Sequence, residues 1–269
     1  MTAPLPLPPH SSTGSGEPVL LLAPAATRSA IWSLHQEPAL RAAGYRVLAF
    51  DHRGSTEDYV PEGPERLADL VADAARIVQE VAGRPCHLVG ASLGAMVAQR
   101  LAIVRPDLVR SLTLLGTRAR TPAFTAATVR NVIDAARTEA VPASYAAGCT
   151  MVQLFAPSTL LDDRFAREWL DLMTLSPVRG EGAARQYLAT LSVDDWSAEL
   201  AAVDCPTLAV GFHYDTQMPP ALVKEVADLI EGARFEEVAD CGHFGFLERP
   251  DVVNDLILEF LAKASAEQR

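Results

Sequence analysis

The chain reads as an α/β protein: a doubly wound, mostly parallel sheet clad by helices, with a helical cap inserted after the strand that ends near Gly116. Three observations predict this. Short apolar runs alternate with helix-period stretches along most of the chain. Those runs are apolar throughout, not at every second residue, which is the pattern of strands covered on both faces. The alternation stops between Arg118 and Asp204, where only helical patterns occur, and then resumes. With 269 residues the chain is long enough for one large domain with such an insertion.

Residues 1–17, "MTAPLPLPPHSSTGSGE", carry proline, serine and glycine without periodicity and are expected to form a mobile tail. Strands are predicted at Val19–Leu22, Tyr45–Phe50, His87–Gly90, Ser111–Leu115, Thr207–Gly211 and Phe235–Val238. Leu67, Leu70, Val71, Ala74, Ile77, Val78 and Val81 trace one apolar helix face. Leu222, Val226, Leu229 and Ile230 trace another, and Val252, Val253, Leu256, Ile257, Phe260 and Leu261 a third. Within the insertion, helices are expected over 123–138 and 163–175, with Pro142, Pro157 and Pro177 as breaks. Asp162-Asp163 and Asp194-Asp195 stand where helices begin and read as caps, not metal ligands. The core is thus assigned to 18–117 and 204–269, and the cap to 118–203.

A net charge of −11 argues against nucleic acid or an anionic membrane as partner, since both need a basic surface. Cys86, Cys149, Cys205 and Cys241 show no metal-binding or CxxC spacing and read as free thiols of a reducing compartment. Val19–Ala25 resembles the core of a signal peptide, but no basic residue precedes it and Glu17 does. No apolar run approaches the length of a membrane span. A cytoplasmic location is expected.

The stretch "HLVGASLGAMVAQRLA" carries the chemistry. Gly90-Ala91-Ser92-Leu93-Gly94 lies where an apolar strand turns directly into a helix. A bare G-x-S-x-G is a weak signal; this context makes it informative. A strand that turns at once into a helix strains the turning residue and needs small neighbours two positions away on either side. The turn lifts the Ser92 hydroxyl clear of the sheet and sets the Leu93 amide at the positive end of the helix. A serine nucleophile needs a base, and the base needs a group that holds its tautomer. Of the histidines, His243 in "DCGHFGFLERPD" follows the last predicted strand and precedes the final helix. Asp215 is the first carboxylate after the strand that ends at Gly211. The order Ser92, Asp215, His243 is the one this strand–turn–helix chemistry uses.

On these residues the chain resembles enzymes of the α/β-hydrolase fold, in the esterase, lactonase and haloperoxidase-like branch. Four blocks between Pro18 and Leu261 carry the likeness: the first apolar strand ahead of Trp32, "FDHRGS", "VGASLGAMVAQRLAIVRPDLVRSLTLLG" and "CGHFGFLERPDVVNDLILEFL". More loosely, it is similar to stand-alone hydrolases of actinobacterial secondary-metabolite pathways. The resemblance implies an oxyanion hole formed by the Leu93 and Ala25 amides. It departs from the pattern in two places. Ala23-Pro24 stands where relatives carry His-Gly, although proline leaves the Ala25 N–H intact. The antiparallel hairpin that usually opens the fold is not evident, so a sheet of about six strands is expected, its edge open to patching by the tail.

The expected reaction is acyl transfer to water through an acyl-enzyme on Ser92, with no cofactor and no metal. "GEGAAR" at Gly180 is a stray G-x-G that does not follow a strand, so it is no dinucleotide fingerprint. Candidate pocket residues are Trp32, Met96, Ala26, Phe155, Trp169 and Phe244, and Phe124, Tyr145, Met151, Met173 and Trp196 also stand in or near the cap. An apolar pocket suits a hydrophobic small-molecule ester, lactone or thioester, including a polyketide-like acyl group. The same site could instead serve an acyltransferase, a cyclase, or a carbon–carbon hydrolase or lyase. A silent binding protein is a further alternative.

Overall fold

The computed structural model describes residues 6–56, 66–192 and 195–267, so residues 1–5 of the expected tail and Asp194 lie outside the described residues. Its strands are β1 (His10–Thr13), β2 (Pro18–Leu22), β3 (Arg46–Phe50), β4 (Cys86–Ala91), β5 (Val109–Leu115), β6 (Thr207–Phe212) and β7 (Arg234–Val238). Among the described residues they form one seven-stranded sheet in the order β1-β3-β2-β4-β5-β6-β7. All neighbours run parallel except β1, which lies antiparallel on β3 with His10 opposite Phe50 and Thr13 opposite Val47.

The seventh strand corrects the expected six, and it corrects the reading of residues 10–13 as part of a mobile tail. The tail does cover the sheet edge, as an ordered strand. "HSST" gives no hydrophobic signal because an edge strand with three exposed residues needs none. Its stability comes from the backbone ladder it makes with β3.

The inner strands explain why their runs are apolar throughout. In β2, Leu20 and Leu22 join the core on one face of the sheet while Val19 and Leu21 join the core on the other. The first core is closed by α2 (Leu67–Arg76) and α3 (Leu93–Val104), and the second by α10 (Gly245–Glu248), which carries Phe246, by α11 (Pro250–Glu267) and by Trp32. Each leucine so buried contributes about 2 kcal/mol. The helix α9 (Pro220–Leu229) covers β6 with Val223 and Ala227, and α1 (Gln36–Ala42) buries Leu40.

Between β5 and β6 lie α4 (Ala123–Ala136), α5 (Ala143–Leu154), α6 (Pro157–Leu160), α7 (Asp163–Leu175) and α8 (Gly180–Leu191). Asp162 caps α7, accepting the amides of Arg164 and Phe165 at 3.0 Å each. Asp195 accepts the Ser197 amide at 2.8 Å and starts the 3-10 turn that follows. Among the described residues no helix is long and apolar enough to cross a membrane.

His52, directly after β3, is completely buried, with its ring 5.1 Å from that of Phe50. Burial pushes its pKa from the ordinary 6.5 down to about 4, against the pull of Asp73 and Asp51. Below pH 6.5 the unfolded chain takes a proton that the folded chain refuses until about pH 4. Stability present at neutral pH is therefore lost as pH falls across that window, by about 3 kcal/mol from this residue. A His52→Leu variant should lose less melting temperature than the wild type between neutral pH and the lower end of that window. Parallel losses in the two proteins would refute the assignment.

Candidate active site

Ser92 sits between β4 and α3 with φ 53° and ψ −117°, a conformation that costs a non-glycine residue about 1–3 kcal/mol. The surroundings enforce it. Its amide donates to the carbonyls of Leu115 and Gly116 at 3.0 and 3.1 Å, and its carbonyl accepts the amides of Ala95 and Met96. The two glycines have a steric reason. A Cβ on Gly90 would lie 2.4 Å from the Gly94 oxygen, and one on Gly94 would lie 2.0 Å from the Leu22 oxygen. The helix start is therefore pressed against the end of β2, whose Leu22 is in register with Gly90.

The chain reverses direction across the sheet between β2 and β4, so the loops leaving both strands open a crevice at their carboxyl ends. Leu93 opens α3, so its amide has no partner within the helix and faces the positive end of the helix dipole. Ala25 and Ala26 form a turn after β2, with Ala26 at φ 53°.

Asp215 and His243 come from the loops after β6 and β7. Those loops are tied together by Tyr214 N–H donating to the Cys241 carbonyl at 2.9 Å. Asp215 Oδ2 is 2.6 Å from His243 Nδ1, and Oδ1 accepts the amides of Gln217 and Met218 at 2.8 Å each. Both residues are buried. A carboxylate held by two amides accepts from Nδ1–H, which leaves Nε2 free to take a proton. The pair is adjacent to the serine turn through Gly116: a Cβ there would stand 3.2 Å from Asp215 Oδ2 and 3.6 Å from the His243 ring. The carbonyl of that same Gly116 accepts the Ser92 amide.

Ser92 and His243 line one cavity of about 1190 Å³, together with Ala25, Ala26, Trp169 and Phe244. Asp215 and Leu93 are buried and do not line it. Tyr145 and Met173 also line it, whereas Phe124 is on the outer surface and Met151 and Trp196 are buried in cores.

Three expected pocket residues lie elsewhere. Trp32 is fully buried, its ring 5.0 Å from Phe246. Ser29–Leu34 is a 3-10 turn, in which residues three apart share a face, so Ile31 and Leu34 reach the cavity and Trp32 points away. Met96 is fully buried because α3 is enclosed on nearly every side. Phe155 forms a layer behind the wall, 5.1 Å from Trp169 and 6.1 Å from Phe244 between ring centres.

Two residues outside the expected site tie it to the cap. Glu248 bridges the His243 loop to the cap: its carboxylate accepts the Gly242 amide at 2.6 Å and the Ala156 amide at 2.9 Å. Gly242 allows that approach, since a Cβ there would lie 2.7 Å from the Leu154 oxygen. From α8, Gln186 reaches the turn after β2. The one available signal for such residues is a polar side chain within an apolar helix face, and a single sequence cannot pair it with a partner. Among the described residues no cluster of three or more His, Cys, Asp or Glu side chains is placed to hold a metal ion.

Residues 18–250 match the family model described as the alpha/beta hydrolase fold. The chain is 32% identical over 263 residues to the Mycobacterium tuberculosis protein named "Putative non-heme bromoperoxidase BpoC", covering 96% of this chain and 98% of that one. Against the crystal structure of that protein the TM-score is 0.88, with 95% of each chain covered. It is 26% identical to rhodomycin D methylesterase DauP of a Streptomyces species, over 86% of this chain and 88% of the other. A thermophilic esterase from Thermogutta terrifontis is 28% identical with a TM-score of 0.83, covering 95% of this chain and 93% of that one.

The serine turn has a direct steric test. Gly94→Ala should destabilise the protein by about 3 kcal/mol, because its new methyl group meets backbone. Gly148→Ala, where nothing lies within 4 Å in the middle of α5, should stabilise by about 0.5–1 kcal/mol. Thermal melts compare the two. Equal melting temperatures would remove the steric explanation of the turn.

Proposed function

Because this chain belongs to the α/β hydrolase fold family, we propose that it is a serine hydrolase that cleaves a carboxylic ester of a bulky, hydrophobic small molecule. The observation that carries the reading is the strained Ser92 turn facing the same cavity as a histidine already paired with a buried carboxylate.

In this mechanism Ser92 Oγ attacks the substrate carbonyl while His243 Nε2 takes its proton. Asp215 orients the ring through Nδ1 and stabilises the imidazolium that forms. Negative charge collects on the carbonyl oxygen, where the Leu93 and Ala25 amides donate to it, each contributing about 3 kcal/mol to lowering the barrier. His243 then passes its proton to the departing alcohol, leaving an acyl group on Ser92. Water, deprotonated by the same Nε2, attacks that acyl group, and the acid leaves as Ser92 regains its proton.

The cavity supports this substrate class. Its volume lies above the usual range for drug-sized ligands, and Ile31, Leu34, Trp169, Leu172, Phe244 and Leu247 give it apolar walls. The esterase and methylesterase among the relatives are consistent with a carboxylic ester. A lactone or thioester of similar bulk would use the same atoms. So would a substrate hydroxyl in place of water, in which case the product is an acyl transfer or a ring closure.

Purified protein should hydrolyse aryl esters and label at Ser92 with a fluorophosphonate. Ser92→Ala and His243→Ala should each lower kcat by roughly 10⁴-fold or more, without change in melting temperature. Full turnover in either variant would exclude the mechanism. A wild-type protein that neither turns over nor labels would favour a binding protein.

A further inference from the structure

Ala26, next to the expected oxyanion donor, is a non-glycine residue at φ 53°. An alanine left to itself escapes that region by rotating the adjoining peptide. What holds it comes from the cap. Gln186, completely buried on α8, accepts the Ala26 amide through Oε1 at 2.6 Å. Its Nε2 donates to the Arg53 carbonyl and to Ser55 Oγ, both at 2.9 Å. The Arg53 carbonyl can only accept, so the nitrogen must face it and Oε1 must face Ala26.

The clamp is itself anchored. Arg53 is fixed by a two-point pair with Asp73 of α2, both contacts at 2.7 Å. One end of α8 packs backbone to backbone on the same loop, where a Cβ on Gly182 would lie 2.4 Å from the Gly54 oxygen. At the other end Arg118 donates to the Thr190 carbonyl at 3.0 Å. On the turn, Thr27 Oγ1 donates to the Ala25 carbonyl at 3.1 Å, so the Ala25–Ala26 peptide is held at its oxygen and at its nitrogen. Ahead of Ala25, the ring of Pro24 locks the backbone. The Ala25 amide thus sits between two fixed units.

We propose that Gln186 is a positioning residue: a cap side chain that stops the Ala25–Ala26 peptide from flipping and so keeps the Ala25 amide aimed at the oxyanion. This rests on the acyl-transfer reading above. It makes the oxyanion hole a joint product of core and cap, competent when α8 is seated.

The test uses Gln186→Leu and Gln186→Glu with an aryl ester and an aryl boronic acid, which forms a tetrahedral anion on Ser92. In Gln186→Leu, kcat should fall about 10- to 100-fold while KM moves less than about threefold. The boronate inhibition constant should rise by the same factor as kcat/KM falls. In Gln186→Glu, the ionised carboxylate faces the Arg53 oxygen, whereas the protonated acid can donate to it and accept from Ala26. Its activity relative to wild type should therefore rise as pH is lowered from about 8 to about 5.5. Turnover in Gln186→Leu within about twofold of wild type, or a kcat loss with unchanged boronate binding, overturns the proposal. Should Gln186→Leu fail to fold, a pH-independent ratio for Gln186→Glu overturns it instead. A wild type that neither hydrolyses esters nor binds the boronate refutes the acyl-transfer reading first, and the role of Gln186 falls with it.

Discussion

The contact between the start of α3 and the end of β2 organises the molecule around it. With Gly94 seated on the Leu22 carbonyl and Gly90 beneath Gly94, strand and helix approach as closely as backbones can. That approach forces Ser92 into a left-handed conformation and leaves the Leu93 amide at the helix entrance. It also places the end of β2, and so Ala25, beside the serine turn. Strain at one residue is tolerable because two burial-rich elements on either side determine its position. The position of Ser92 at the cavity and the Leu93 amide at the helix entrance are consequences of the same packing.

The Asp215–His243 pair depends on a different kind of restraint. Asp215 is tied by two amides of its own loop and His243 by that carboxylate, while Glu248 fastens the histidine loop to the cap. Such hydrogen bonds are directional and at least partly buried, so they define orientation where apolar contacts define only proximity. The cap follows the same logic. Its wall is largely apolar, with Asn131, Gln153, Glu168 and Arg179 among the exceptions, but its attachment to the core runs through Gln186, Glu248 and Arg118, each reaching backbone groups of another segment. The Arg118 guanidinium, buried against Met218 and Thr190, has its pKa pushed down to about 10 by burial.

Much of this was legible in the sequence, and particular residues show why. The apolar runs of β2 to β6 announced a sheet buried on both faces. The serine between small residues announced the turn, because its steric demand is local and fixed by covalent geometry. Asp215 and His243 stand after consecutive strands, a placement that topology converts into the contact between them. β1 was missed as a strand because a polar edge strand carries no pattern. Trp32 was misplaced because it took one residue's shift around a 3-10 turn to send Ile31 and Leu34 to the cavity in its stead.

The amino-acid sequence by itself determined what depends on neighbours along the chain: which apolar segments are strands or helices, where the backbone must turn sharply, and which side chains can donate or accept protons. Only the tertiary structure decided what depends on neighbours across it. The seat of Gln186 on Ala26, the bridge from Glu248 to Ala156, and the choice of which cap side chains face the cavity join residues up to 160 positions apart. The energies that select such pairs belong to buried hydrogen bonds and close packing, and these exist only once both partners have been brought out of water together.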